Sequence, residues 1–248
     1  MADVSDSQFW DSVSDRLEML RQLDAGCKLV FGANRHRYDV LPVCTDSVIE
    51  EYEQSQGVTL HENYRNYLKY FGCGGAGPGY GIDRFPDKVW QTELASPLLL
   101  EEFHGVQELD AGSKNESLEQ LHGMIRIGTS GNPSSYYFVQ TGQLAGNVIL
   151  YNHDIVVLYG LFHEWVSRWV DESIRDITNL PLLKDISIGM QVDDVIGLID
   201  LEYTISFGSR LNFEGLPANI IFDDNRIVTK INVEKSKPSN VGFGFLYL

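Results

Sequence analysis

Cysteine is scarce in this chain: Cys27, Cys44 and Cys73 are the only three among 248 residues. No two of them stand in a CxxC arrangement, which argues against a zinc site, and the odd count argues against a disulfide framework. A reducing, cytoplasmic compartment is the expectation. Basic residues are also in deficit, since 19 Lys and Arg face 35 Asp and Glu for a formal charge of −16. That balance makes nucleic acid a poor direct partner, because phosphate binding draws its affinity from clustered Lys and Arg. Anionic membrane surfaces are disfavoured on the same ground, and a basic protein is the better match. Long apolar runs are missing as well. The longest apolar region, 147–162, is broken by Asn152, His153 and Asp154, short of the ~20 residues that cross a bilayer. The opening stretch MADVSDSQFWDSVSDRLEML carries acids where a secretory leader needs a positive start and an uninterrupted apolar segment, so export by that route is not expected.

What is present suffices for a core, with 43% apolar and 11% aromatic residues. From Asp6 to Leu23, Phe9, Trp10, Val13, Leu17 and Leu20 recur every three or four residues and predict an amphipathic helix. A second helix is predicted to open near Thr45 or Asp46 and to end at Gly57, with Val48, Ile49 and Tyr52 beginning its apolar face. The run YRNYLKYF predicts a third, stopped by Gly72. GCGGAGPGYG must then be a tight irregular loop. Residues 84–120 read as loop and short helix, and 101–119 as a solvated acidic insertion. The runs MIRIG, SYYFVQT, GNVILYN and IVVLYG, separated by turn sequences, predict an antiparallel meander. FHEWVSRWVDESI returns to helical spacing and is expected to cover the sheet, with Phe162, Trp165 and Trp169 in the core.

A boundary falls at 179–183, dividing a first domain, 1–178, from a small module, 179–248. In that module a short helix over Val192 to Leu198 precedes candidate strands YTISF, LNF, NIIFD and RIVTKINV. Being small, it is expected to pack on the first domain. The closing VGFGFLYL is too apolar to stay in solvent and reads as a final strand. The fold class is therefore α+β: a central, mainly antiparallel sheet flanked by helices, plus a small C-terminal α+β module.

Several segments in order carry a resemblance to a known family. YRNYLKYFGCGGAGPGYGI is similar to a pattern of the SUKH superfamily, in which a Tyr-Arg helix runs into a Gly-Gly-Ala-Gly-Pro loop ending in Tyr-Gly. GANRHRYDVLP resembles its Gly-Ala-x-x-His-x-Tyr-x-x-x-Pro opening, IRIGTSGNPSSYYFVQTGQLAGNV its strand pair, and FHEWVSRWVDES its closing helix. LHEN stands where Leu-Pro is more usual. The likeness covers about 32–173 and fades after 180. It implies an α+β fold and the role of a bacterial immunity protein that binds and neutralises a polymorphic or contact-dependent toxin, such as a nuclease. The alternative is a regulatory scaffold, as in the superfamily's yeast cell-wall synthesis regulators.

The residues themselves suggest binding rather than chemistry. The glycine loop lacks the Lys-Ser or Lys-Thr of a phosphate cradle. Cys73 would need a base and an oxyanion site to act as a nucleophile, and no histidine is tied to it by a motif. His153–Asp154 and His163–Glu164 lack zinc spacing. No catalytic residue, metal or cofactor is expected. Arg35, His36 and Arg37 form the one notable basic cluster, either a partner site or, the stronger expectation, a segment that pairs internally with acids such as Glu50 or Glu51. Partner recognition is expected through a sheet face and adjoining loops, with candidate contacts at Glu101, Glu102, Glu108, Asp110, Glu116 and Glu119 and, on the glycine loop, Tyr80 and Asp83.

Overall fold

The computed structural model describes residues 6–86, 94, 122–131, 133–152, 155–199, 201–206, 209–213, 216 and 218–233. The acidic stretch 101–119, the turn residues His153 and Asp154 and the final 241–248 lie outside them.

Helix α1, Asp6–Leu23, buries Trp10, Val13, Leu17 and Leu20, the stripe that its spacing predicts. One turn of helix, α2, Ala33–His36, follows Gly32. It escapes sequence reading because four residues carry no periodicity. Helix α3, Asp46–Gln56, starts where the Thr45 hydroxyl accepts the Val48 N–H at 3.4 Å and stops at left-handed Gly57. Helix α4, Glu62–Tyr70, is capped by His61, whose Nδ1 accepts the Asn63 N–H. Four antiparallel strands follow in sequence order: β1, Met124–Gly131; β2, Ser134–Val139; β3, Asn147–Asn152; β4, Ile155–Leu161. Helix α5 opens at Phe162 and continues to Asn179, past the predicted end, because buried Val166, Val170, Ser173 and Ile177 keep the apolar period going.

One face of this sheet meets the helices. Tyr64 of α4 stacks on Phe138 at 5.1 Å, and Tyr136 lies 5.0 Å from Trp165 of α5. Helix α1 lies on the same layer: its Arg16 pairs with Asp171 of α5, and Trp10 packs on Tyr67 and Phe71. The opposite face is closed too, since Met124, Tyr137, Val139, Ile149 and Tyr151 form a second buried cluster with none more than 7% exposed.

The second module begins with a 3-10 turn, Leu180–Asp185, carrying Pro181. Helix α6, Val192–Leu198, then precedes another antiparallel meander of β5, Tyr203–Ser206; β6, Arg210–Phe213; β7, Ala218–Phe222; and β8, Val228–Val233. It encloses a core of its own around Val192, Val195, Leu211, Ile220 and Phe222. Among the described residues no helix is long and apolar enough to cross a membrane.

The cysteine expectation needs correction. Cys44 and Cys73 are disulfide-bonded, their Cα atoms 5.6 Å apart, and Cys27 is left over. An odd count counsels against a framework of several bridges, yet it leaves room for one pair brought together by a backbone ladder: Cys44 N–H donates to Leu68 and Cys73 N–H to Pro42. The bond therefore withdraws cysteine usage as an argument about compartment. Closing a loop of 29 residues is worth about 3.6 kcal/mol through the entropy of the unfolded chain. We expect reduction, or Cys44→Ser, to lower the unfolding free energy measured in urea by that amount, with reduction having no effect on the variant.

Candidate functional site at the glycine loop

The loop after α4 widens the first sheet beyond its β1 edge. Single bridges run from Val40 to Gly75, from Gly75 to Ile82 and from Ile82 to Gly128 of β1. Tyr80 N–H donates to Thr129 at 2.9 Å and Asp83 N–H to Ile127 at 2.8 Å, so both loop residues singled out in the sequence are held by backbone bonds to one strand. The approach is too close for side chains. A Cβ at Gly79, where φ is 68°, would lie 2.5 Å from the Thr129 oxygen, and one at Gly32 would overlap the Gly79 carbonyl. The glycines serve backbone contact, not a phosphate cradle.

On the other side of this contact the chain makes a strained hairpin. Arg37 and Tyr38 both adopt left-handed φ, at 53° and 62°, a costly state for bulky residues. Asp24, only 3% exposed at the end of α1, holds it: its carboxylate accepts the N–H groups of Lys28, Leu29 and Val30 and the Tyr38 hydroxyl at 2.8 Å. Burial, then this bond to a carboxylate, drives the Tyr38 pKa up. His36 locks the same turn from inside, because its Nδ1 accepts the Tyr38 N–H and its ring meets Trp169 edge-on at 5.7 Å. Nδ1 being the acceptor, the neutral ring carries its proton on Nε2, which is buried without a partner.

This hairpin presents Arg35. Its guanidinium lies 4.2 Å over the Tyr80 ring, which packs against Phe31 with centroids 5.0 Å apart. Arg35 is exposed, while Tyr80 and Phe31 are half-buried. The expected pairing of the basic cluster with Glu50 or Glu51 does not occur: among the described residues Arg35 and Arg37 form no ion pair, and Arg65 takes Glu53 at 2.5 Å and Lys69 takes Asp46 at 2.9 Å. Asp83 turns instead to Arg126 of β1, at 2.9 Å. The loop thus carries two anchors: an aromatic and cationic one at Phe31, Arg35 and Tyr80, and an ion pair at Asp83 and Arg126. Below the hairpin a cleft of about 380 Å³ is lined by Arg21, Cys27, Asn34, Arg37 and Asp39.

Of the predicted contact residues the structure brings Tyr80 and Asp83 to one edge; the six acids from Glu101 to Glu119 lie outside the described residues. Cys73, considered as a nucleophile, has its sulfur bonded to Cys44. Sequence reasoning missed Phe31 and Asp24. Three successive N–H donors after an Asp at a helix end were the available signal for the latter.

The hairpin has a pH signature. Burial lowers His36 from 6.5 to about 4, against the opposing pull of Asp39. Between those values the unfolded chain binds the proton and the folded chain does not, so stability is full above pH 6.5 and is lost as pH falls toward 4. The total is on the order of 3 kcal/mol. Urea titrations from pH 7 to pH 4 are expected to show this slope in the native chain and to lose it in His36→Gln; equal slopes would refute the assignment.

No family model matches the chain, and neither a curated protein nor a solved structure does.

Proposed function

We propose that this protein acts by binding, as an immunity protein that neutralises a cognate toxin through the edge formed by the glycine loop and the Arg35 hairpin. The observation that carries the reading is the Arg35–Tyr80–Phe31 stack. Tyr and Arg dominate the energetics of protein interfaces, and a side chain already ordered on a rigid loop loses little entropy when a partner arrives. Here the rigidity comes from backbone contacts that leave no room for Cβ atoms. The resemblance of the 32–173 segments to the SUKH superfamily supplies the partner class.

The overall charge of −16 supports a basic partner such as a nuclease, since opposite fields speed encounter. The acids Glu101, Glu102, Glu108, Asp110, Glu116 and Glu119 would add the complementary surface. A complex of this kind buries ~800 Å² on each partner, and protection against a lethal activity calls for a Kd near ~1 nM.

Co-expression with the protein encoded beside it is the direct test. A complex that survives gel filtration and abolishes the neighbour's toxicity supports the reading; a neighbour that is no toxin, or no complex, sinks it. Arg35→Ala, at an exposed position, is expected to weaken binding at least ~10-fold with an unchanged circular dichroism spectrum. Immunity exerted in the cytoplasm would use Cys44 and Cys73 as thiols, so affinity measured with and without dithiothreitol is expected to agree within about twofold.

A further inference from the structure

The cleft below the Arg35 hairpin collects positive groups in a chain whose overall charge is −16. Arg37 and Asn34 line it and are exposed, and among the described residues neither side chain has an ion pair or a hydrogen bond. Arg21 gives one N–H to Asp39 at 3.0 Å, and a guanidinium has five. The Lys28 side chain lies beside Gly26 of the same lining. Asp39 is the one carboxylate in that lining among the described residues. Backbone strain is concentrated here as well. Of the four described non-glycine residues with left-handed φ, Cys27 and Arg37 line the cleft and Tyr38 follows directly; such states persist where the surrounding structure enforces them, and they cluster at ligand clamps. One buried group enforces both walls: Asp24 accepts the N–H groups of Lys28, Leu29 and Val30 on one side and the Tyr38 hydroxyl on the other. The cleft is therefore formed in advance of any ligand.

We propose that this cleft is a subsite for a carboxylate of the bound partner, an Asp or Glu side chain held by Arg37 and Asn34. The source of the carboxylate rests on the immunity reading; its chemistry rests on the cleft alone. A guanidinium fork matches a carboxylate with two parallel N–H bonds, and the Asn34 amide supplies a further donor. Asp39 decides between anions. A carboxylate brings one negative charge beside it, whereas a phosphate group brings nearly two at pH 7 and meets about twice the repulsion. The volume of about 380 Å³ lies at the small end of the range for ligand sites, which suits a side chain. Arg37 stands two residues from Arg35, so the subsite adjoins the aromatic anchor, and one partner surface reaches both.

Cys27 is the reporter, since it lines the cleft as the free thiol while Cys44 and Cys73 are bonded. Iodoacetate and iodoacetamide alkylate a thiolate alike, a C–S bond forming as iodide leaves, and differ only in the carboxylate. Their rate ratio therefore cancels the ionisation of Cys27. In the full, unreduced chain that ratio should exceed the ratio for N-acetylcysteinamide at least ~5-fold, against the sign of the overall field. Arg37→Gln, at an exposed position, should abolish the excess with an unchanged circular dichroism spectrum, and Arg37→Lys should keep part of it. The peptide acetyl-Gly-Glu-Gly-amide should slow iodoacetamide, and its Gln analogue should not. A ratio no higher than that of the free thiol, or an excess that survives Arg37→Gln, overturns the subsite, and neither result depends on the immunity reading. In a toxin complex Cys27 should react several-fold more slowly with iodoacetamide, and Arg37→Gln should weaken binding ~10-fold. A stable complex in which Cys27 reacts as in the free chain overturns the partner as the source of the carboxylate.

Discussion

The first domain depends on backbone meeting backbone where the glycine loop passes between the hairpin and the β1 edge. Gly79 sits against both Gly32 and Thr129, and Gly128 would place a Cβ 2.5 Å from the Gly81 oxygen. Elements this close exchange their polar groups directly, and the bridges from Val40 to Gly75, Ile82 and Gly128 are the result. The consequence for binding is positional. Tyr80 is fixed by its own N–H bond to Thr129, and the residue that covers its ring, Arg35, is fixed by a turn locked through His36, Tyr38 and Asp24. The anchor is therefore as rigid as the core behind it.

Charge acts on two scales in this protein. The long-range field is negative because of the overall balance of −16, and at a Debye length of about 8 Å it governs the approach of a partner rather than its seating. At the glycine loop the local groups are different: Arg35 and Arg37 are exposed, and Arg126 is half-exposed beside Asp83. A partner drawn in by its own positive charge would thus meet a cationic and aromatic anchor, and the fit selects a surface that mixes basic groups with a carboxylate or an aromatic ring. Steering and specificity would then reside in different residues, which is how an acidic protein can attract broadly and bind narrowly.

Much of the architecture was legible because the relevant signals are local. The periods of α1, α4 and α5 and the apolar, β-branched or aromatic runs of the strands sit within single windows, and Thr45 and Gly57 bracket α3 as cap chemistry requires. What was illegible is made by contacts between distant segments. The Cys44–Cys73 bond depends on two segments aligned by a ladder, and the closure of the second sheet face depends on tertiary burial that alternation alone does not report. The site was legible in half: the loop and Tyr80 could be named, but Phe31 and Arg35 reach Tyr80 from a hairpin some 45 residues away. His36 and Tyr38, which stand in the Gly-Ala-x-x-His-x-Tyr segment, work inward on the turn, so a basic-looking cluster conceals a structural pair beside one outward-facing Arg.

The two sheets illustrate different answers to the same problem of cover. The first has buried clusters on both faces, with α1, α4 and α5 on one side and a second apolar cluster on the other. The second is a four-stranded meander with a single seven-residue helix, and it closes a smaller core around Val192, Val195, Leu211 and Ile220. Its polar face needs no cover, since Asn and Thr side chains bond across the strands. The apolar face does need it: Leu211 and Ile220 on the inner strands and Val228 at the start of β8 are fully buried, whereas Tyr203 and Ile205 on the other outer strand, β5, are 46% and 44% exposed.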